Sequence, residues 1–326
     1  MRTGSRPATL MGQQRREPQL DAVAKPTLAK QQVEQPASAV WIVAGRATLT
    51  NELLIGALHE HGVRAQFVEA ARLSGLARRD DVVLARLDVR GTLDGVEDGI
   101  WELRRVQRRG IRVLNPSPSL IACHDKLQTA LRLSRLGVPH PATAHVDWDT
   151  LPSRVDCPVV LKPRFGSWGR DVWLCESHGE LKRCLRRLRD RDWFRRQGVL
   201  VQELIPPAGF DVRVLVASGR VVGAIQRVAA AGEWRTNIAL GGSRRPVTPT
   251  PEACVLATYA AAAVAGDLVG VDLLPLANGD YVVLEVNGAV EFTSDYSLDG
   301  RDVFEEVAKA VASDATEIDL GTGVGG

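Results

Sequence analysis

Apolar positions along this chain follow two rhythms. The short runs 40–43 (VWIV), 65–68, 81–87 and 111–114 are bounded by polar or turn residues, which predicts buried strands. Between them, residues 51–61 carry Leu53, Leu54, Ala57 and Leu58 at helical spacing, and a second helix is predicted over 100–109. Strands and helices in alternation predict a small, mostly parallel α/β unit over 39–115. Pro116-Ser117-Pro118 interrupts it, and beyond lies a predicted helix over 120–136, capped by Ser119 and stopped at Gly137-Val138-Pro139. Strands at 158–162 and 171–175 bracket a loop, and a basic helix follows. A third block starts at Gly198, with strands 199–204, 211–217 and 221–228, a loop, an Ala-rich helix over 253–266, two strands and a last helix over 302–312. The sequence therefore divides into 1–38, 39–115, 116–197, 198–312 and 313–326. The first segment, rich in Gln, Arg, Pro and Ala without an apolar period, is predicted to be a disordered tail, and the last a flexible one.

The two strands of the third block carry the densest chemistry. Runs 269–274 and 281–286 are joined through Asn278-Gly279, a strong hairpin signal. Side chains alternate along a strand, so Glu285 and Asn287 share one face, and pairing can bring Asp272 opposite them. Two carboxylates and an amide suit a hard cation such as Mg²⁺. The residues alone leave a polar hairpin edge equally open.

Composition narrows the class without naming it. The chain has 326 residues, 45% hydrophobic and 25% charged, with a net charge of +2. That is the composition of a globular protein, and no overall field favours nucleic acid. Locally, 182–196 (KRCLRRLRDRDWFRR) is strongly basic; a solvated helix face is the preferred reading, a surface for RNA or an acidic partner the other. The five cysteines are scattered and never spaced as CxxC, so a reducing compartment is expected and a disulfide or zinc framework is not. His59 and His61 are read as surface residues. No signal-peptide pattern opens the sequence, and the most apolar stretch, 253–266, reads as a buried helix rather than a membrane span; a soluble, cytoplasmic protein is expected.

Lysine occurs only six times, which makes two of its positions informative. Lys162 closes an apolar strand directly before the loop 162–170 (KPRFGSWGR), whose Gly166, Ser167, Trp168 and Gly169 could bring backbone N–H groups close to a phosphate. Lys126 sits on the preceding predicted helix, where a local ion pair with Asp125 is the simpler reading. There is no GxxxxGK[ST] and no GxGxxG after a first strand. Gln202, Glu203 and Leu204 end a strand at a turn. Arg213 and Arg227 lie on neighbouring predicted strands amid apolar residues and need anionic partners if buried. Residues 234–242 (WRTNIALGG) add Arg235 and Asn237 on a segment suited to closing over a substrate, or to being a plain surface loop.

Read in order, HDK at 124–126, VVLKPRFGSWGRDV at 159–172, QEL at 202–204, DVRV at 211–214, RTN with GG through 242, then VDLL and LEVN resemble the ATP-grasp ligases. The likeness is greatest to the branch of ribosomal-protein glutamate ligases and carrier-protein ligases of lysine biosynthesis, and it covers roughly residues 39–312. The resemblance implies an ATP-grasp fold, two α+β halves clasping ATP (116–197 and 198–312) behind the N-terminal α/β domain. It implies that Lys126 and Lys162 contact nucleotide phosphates under the glycine-rich loop. Gln202 to Leu204 would form the adenine hinge, and Asp211 would lie near the ribose. Arg213 and Arg227 would hold the transferring phosphoryl or a substrate carboxylate, with Arg235 and Asn237 in the closing loop. Asp272, Glu285 and Asn287 would bind two Mg²⁺ ions, Mn²⁺ being a substitute. The implied reaction activates a carboxylate as an acyl phosphate and joins it to an amine, an amino acid being the natural amine and a small molecule, peptide or carrier protein the acceptor; such enzymes can form homo-oligomers. A non-catalytic ATP-binding regulator of the same fold is the alternative. After LEVN, the continuation 288–295 (GAVEFTSD) departs from both branches, with Glu291 and Phe292 leaning toward the lysine-biosynthesis one.

Overall fold

A computed structural model describes residues 38–147 and 155–321, with side chains as far as 313. The disordered tail expected over 1–38 lies, but for Ser38, outside the described residues, as do 322–326. The first domain runs β1 (Ala39–Val43), α1 (Leu49–Glu60), β2 (Arg64–Val68), α2 (Ala70–Leu76), β3 (Val82–Ala85), α3 (Ile100–Arg108) and β4 (Arg112–Leu114). Its four strands form a parallel sheet in the order β2-β1-β3-β4. β1 and β3 are buried along their whole length, as continuous apolar runs in a covered parallel sheet should be. The seven-residue α2 was not expected, because so short an element shows no helical period.

The single helix expected over 120–136 is two helices, α4 (Ser117–His124) and α5 (Lys126–Arg135). Asp125 breaks it. Its backbone is extended, it caps α5 through the Leu127 N–H, and it forms an antiparallel bridge with Phe165. The Arg164 guanidinium grips its carboxylate through Nε at 3.1 Å and through Nη2. A tertiary ion pair thus overrides helix propensity, and Ser119 lies inside α4 rather than capping a helix.

Next come β5 (Thr143–Val146), β6 (Val159–Lys162), β7 (Trp173–Cys175), α6 (His178–Leu188), α7 (Asp192–Gln197) and β8 (Val199–Glu203). The four strands form an antiparallel sheet ordered β5-β8-β6-β7. The boundary expected after 197 therefore cuts this sheet, since β8 lies between β5 and β6 and not in the third block. The basic run folds as α6 and α7. Leu181, Leu185 and Leu188 are buried while the arginines between them face outward, the solvated-face arrangement.

The third sheet contains β9 (Phe210–Ala217), β10 (Arg220–Val228), β11 (Ser243–Pro246), β12 (Leu268–Pro275) and β13 (Tyr281–Asn287), antiparallel in the order β11-β10-β9-β12-β13. α8 (Pro251–Val264) lays Ala253, Ala257, Ala260, Ala261 and Val264 against it, small side chains that let helix and sheet approach closely. α9 (Val303–Gly321) runs past the expected end at 312, so 313–321, expected as flexible tail, are helical. No helix among the described residues is long and apolar enough to cross a membrane.

Asn115 ties the first domain to the third sheet. Fully buried at φ 55°, it donates through Nδ2 to the carbonyls of Leu268 (2.7 Å) and Gly288 (3.1 Å). Its Oδ1 accepts from the N–H groups of Asp267 (2.8 Å) and Leu268 (3.1 Å). Every hydrogen-bonding position of the amide is used. Asn115→Ala should therefore cost about 3 kcal/mol or more in urea unfolding, because several buried backbone groups lose their partner. Asn115→Gly, which keeps the backbone conformation free, should cost as much; a mild glycine variant would assign the role to φ rather than to the amide.

Candidate active site

The third sheet's register builds a ladder of charged side chains. Asp272 on β12 stands opposite Arg213 on β9 and Glu285 on β13, and Arg227 on β10 stands opposite Asp211 on β9. Directly opposed residues share a face, so these side chains meet. Arg213 donates to Asp272 through Nε (2.5 Å) and Nη2 (2.7 Å). Arg227 donates to Asp211 through Nε (2.8 Å) and Nη2 (2.5 Å), and Nη2 also reaches Asp272 at 2.8 Å. Both carboxylates are sealed from solvent, with 0% exposure. Burial disfavours a charged Arg227, yet Asp272 and Asp211 outweigh it and hold its pKa well above the ordinary value. The apolar-strand arginines thus do find anionic partners, two carboxylates of the same sheet.

A second group joins this ladder to the glycine-rich loop. Lys126 Nζ lies 3.0 Å from Glu285 and donates to the Gly166 carbonyl at 2.7 Å. Lys162, buried at the end of β6, donates to Gln202 Oε1 at 2.7 Å, and Gln202 Nε2 donates to Thr143 at 2.8 Å. Burial, then the neighbouring Lys126 charge, depresses the Lys162 pKa to about 8. Burial works against ionised Glu285, but Lys126, Lys162 and Arg213 together hold its carboxyl well below the usual range. The simpler reading of Lys126 fails, since Asp125 is spent on Arg164 and Lys126 turns to Glu285.

The loop itself is closed by the segment after β10. Trp168 and Gly169 have φ of 63° and 70°, and a Cβ on Gly169 would sit 2.8 Å from Asn237 Oδ1. Arg235 donates to the Gly169 carbonyl at 3.1 Å while paired with Glu233 at 2.7 Å. Thr236 donates to Asp211 at 2.6 Å. Both Asp211 oxygens are therefore engaged; the structure offers Asp211 as the counter-charge of Arg227, where a ribose contact was expected.

All ten residues singled out for nucleotide binding, from Lys126 and Lys162 through Gly166, Ser167, Trp168, Gly169, Gln202, Glu203 and Leu204 to Asp211, line one cleft. Arg227, Arg235, Asn237, Asp272 and Glu285 line it too. Its empty space, mouth included, is about 1030 Å³, ample for a nucleotide. Arg213 and Asn287 line an adjoining cavity that shares Ser167, Trp168, Arg227, Asn237 and Glu285 with the first. Sequence reasoning missed the apolar walls Val160, Ile205, Phe210, Leu274 and Leu284, which in a strand pattern look like ordinary core. It also missed Asp88, His124, Arg244, Glu291 and Tyr296 around the second cavity. Asp88 comes from the segment after β3 and carries no local motif; His124 belongs to the quoted HDK, but only the break at Asp125 shows where it lies.

Among the described residues no three His, Cys, Asp or Glu side chains cluster as a metal site. Asp272, Glu285 and Asn287 are oxygen donors of the kind a hard cation takes. Both Asp272 oxygens are already held by Arg213 and Arg227 and Glu285 faces Lys126, while the buried Nδ2 of Asn287 has no hydrogen-bond partner among the described residues.

Comparison with known proteins agrees with this geometry. The RimK-like ATP-grasp domain matches residues 124–311. A probable alpha-L-glutamate ligase from Thioalkalivibrio sulfidiphilus is 33% identical over 241 residues, 72% of this chain and 77% of the relative. One from Aeromonas salmonicida is 33% identical over 230 residues, 68% of this chain and 74% of its own. In fold, the chain is similar to a RimK-domain ATP-grasp protein from Sphaerobacter thermophilus, with a TM-score of 0.61 at 23% identity over 84% of this chain and 100% of that one. It is also similar to D-alanine–D-alanine ligase from Bacillus anthracis complexed with ATP, with a TM-score of 0.62 at 16% identity over 88% of this chain and 100% of that one.

Removing the cation at the centre of the ladder should be costly. Arg227→Met leaves Asp211 without a guanidinium partner and Asp272 with one, and is expected to lower stability by about 3–5 kcal/mol in urea unfolding. A loss under about 1 kcal/mol would show that the buried ladder contributes little to the fold.

Proposed function

The chain belongs to the RimK-like ATP-grasp family and is an ATP-dependent carboxylate–amine ligase, and we propose that its two adjoining cavities divide the reaction between nucleotide and substrates. The observation that carries this reading is their shared wall, where Arg227 and Glu285 lie between the lysine-lined cleft and the second cavity.

In the cleft, Lys126 and Lys162 approach the ATP phosphates and the loop 166–169 covers them. Gln202, Glu203 and Leu204 receive the polar edge of the base, and Val160, Leu274 and Leu284 its faces. Lys126 exchanges its contacts with the Glu285 carboxylate and the Gly166 carbonyl for phosphate oxygens. Asp272, Glu285 and Asn287 would hold Mg²⁺, which when bound neutralises charge on the phosphates. Arg213 and Arg227, fixed by Asp272 and Asp211, keep guanidinium groups at the wall where the γ-phosphoryl meets a carboxylate. A carboxylate oxygen is a poor leaving group; phosphorylated, it leaves as phosphate when an amine attacks, giving amide, ADP and phosphate. The 234–242 segment seated on the glycine-rich loop keeps water from that labile intermediate. The relatives' names favour L-glutamate as the amine; a small carboxylate, a peptide or a carrier protein is the acceptor class. A regulator without activity would be expected to lack a phosphate lysine or a metal ligand, and here all are present.

Hydroxylamine trapping tests the reading. With MgATP, hydroxylamine and a pool of amino acids and small carboxylates, the chain should yield ADP and a hydroxamate, and Glu285→Gln should yield neither while keeping its fold. Nucleotide bound without ADP or hydroxamate from any carboxylate would contradict it.

The Lys162 pKa gives a pH dependence. Below about 8 its ammonium is charged and attracts phosphate; above that the free chain must take up a proton to restore it. MgADP affinity should therefore fall, by up to about tenfold per pH unit, above pH 8, and Lys162→Gln should flatten that slope. An unchanged slope in the variant would remove Lys162 from phosphate binding.

A further inference from the structure

One helix is apolar on both of its sides. Along its 14 residues α8 carries a single charge, Glu252, yet only one side is used to cover the third sheet. On the other side Glu252, Val255, Tyr259 and Ala262 are exposed, Val255 by 55% and Tyr259 by 62%. A helix face turned to water ordinarily carries charge, and a helix apolar all round is ordinarily covered all round. These four residues are spaced three, four and three apart, the interval of the a and d positions in a seam between two helices.

The surroundings widen this apolar surface. α5 lies alongside, and its Arg132 donates to the Val264 carbonyl in the last turn of α8 at 3.4 Å. Leu131 of α5 and Leu136 at its end are both exposed. A groove of about 940 Å³, mouth included, has Val255 and Tyr259 for one wall and Pro139, Leu276, Tyr281 and Val282 for the other. Charge is placed at the two ends only, with acidic Glu252 in the first turn of α8 and basic Arg132 at its last. Reversed end for end about residue 257, the seam sets Val255 against Tyr259 and Glu252 against Ala262, next to the turn that holds Arg132. A surface that complements its own reversal in both shape and charge fits a second copy of itself.

We propose that α8 is the centre of a two-fold interface between two copies of this chain. The helices pack antiparallel, each Tyr259 ring enters the groove of the other copy, and Glu252 of one faces Arg132 of the other at both ends of the seam. The seam alone is about 21 Å long, short of the ~800 Å² a side that a stable interface buries. Leu131, Leu136 and the groove walls supply the remainder. The proposal stands apart from the ligase chemistry. Val212, Val214 and Val271 face α8, while Arg213 and Asp272 alternate with them on the opposite side of the sheet, so the pairing leaves the charged ladder and its cleft uncovered.

Sedimentation velocity on the full chain, from about 1 to 100 µM, tests it. The wild type should be dimeric at the upper end of that range. Val255→Glu and Tyr259→Glu, both at exposed positions, should raise the dimer dissociation constant about thirtyfold or more, as loss of a central contact does. MgADP affinity should be unchanged in both, which shows that the fold survives. Glu252→Arg and Arg132→Glu should each weaken the dimer about tenfold, and the two together should recover most of that loss, a rescue that a damaged fold would not give. A wild type that stays monomeric at about 100 µM overturns the proposal. So does a dimer that Tyr259→Glu leaves intact, since the copies would then meet through another face. A double charge variant as weak as either single one overturns the antiparallel arrangement.

Discussion

Asp272 has no contact with solvent; burial pushes its carboxyl pKa up, and Arg213 and Arg227, reaching it from the neighbouring strands β9 and β10, oppose that push. Much of the site depends on that constraint. A buried carboxylate without partners would take up a proton, and two buried guanidiniums without one would be far costlier. The pairing fixes the register of β10, β9 and β12, because a slip of one residue would turn each charge to the other face. With the register fixed, Glu285 stands beside Asp272, and Asp211 completes the support of Arg227. The two guanidinium groups are therefore held in place by the sheet itself, which under the proposed function leaves them little reorganisation during the reaction.

The remaining elements bring other groups to this ladder. The break at Asp125 starts α5 at Lys126, and the Asp125–Arg164 pair anchors that start to the strand end leading into the glycine-rich loop. Lys126 consequently spans from loop to ladder, touching Gly166 and Glu285. Asn115 performs the corresponding service for the first domain, fastening the end of β4 to β12 beside the site. These are local polar interactions of long sequence separation, and each converts a domain contact into a position within the cavity.

The ATP-grasp fold was legible because strands such as 40–43 and 211–217 carry strong local patterns, and the ordered motifs from HDK to LEVN resemble a family that the comparisons then show. The pairing of Asp272 with Glu285 was legible from alternation and the Asn-Gly turn alone. What could not be read was decided by tertiary partners. The helix over 120–136 breaks for Arg164, a residue some 40 positions away. β8 joins β5 and β6 because of edges that sequence order does not reveal, and β5 itself is too short and too exposed to show a period. Asp88, His124 and Arg244 reach one cavity from three separate elements, and no spacing rule links them.

The central claim is that this chain transfers the γ-phosphoryl of ATP to a carboxylate before an amine attacks. Oxygen tracing tests it most directly. With the carboxylate substrate labelled with ¹⁸O, and the phosphate released during amide formation examined by ³¹P NMR, one labelled oxygen should appear in each phosphate. Only passage through an acyl phosphate moves that atom from carbon to phosphorus. Unlabelled phosphate accompanying amide formation, or release of AMP and pyrophosphate in place of ADP, would contradict it.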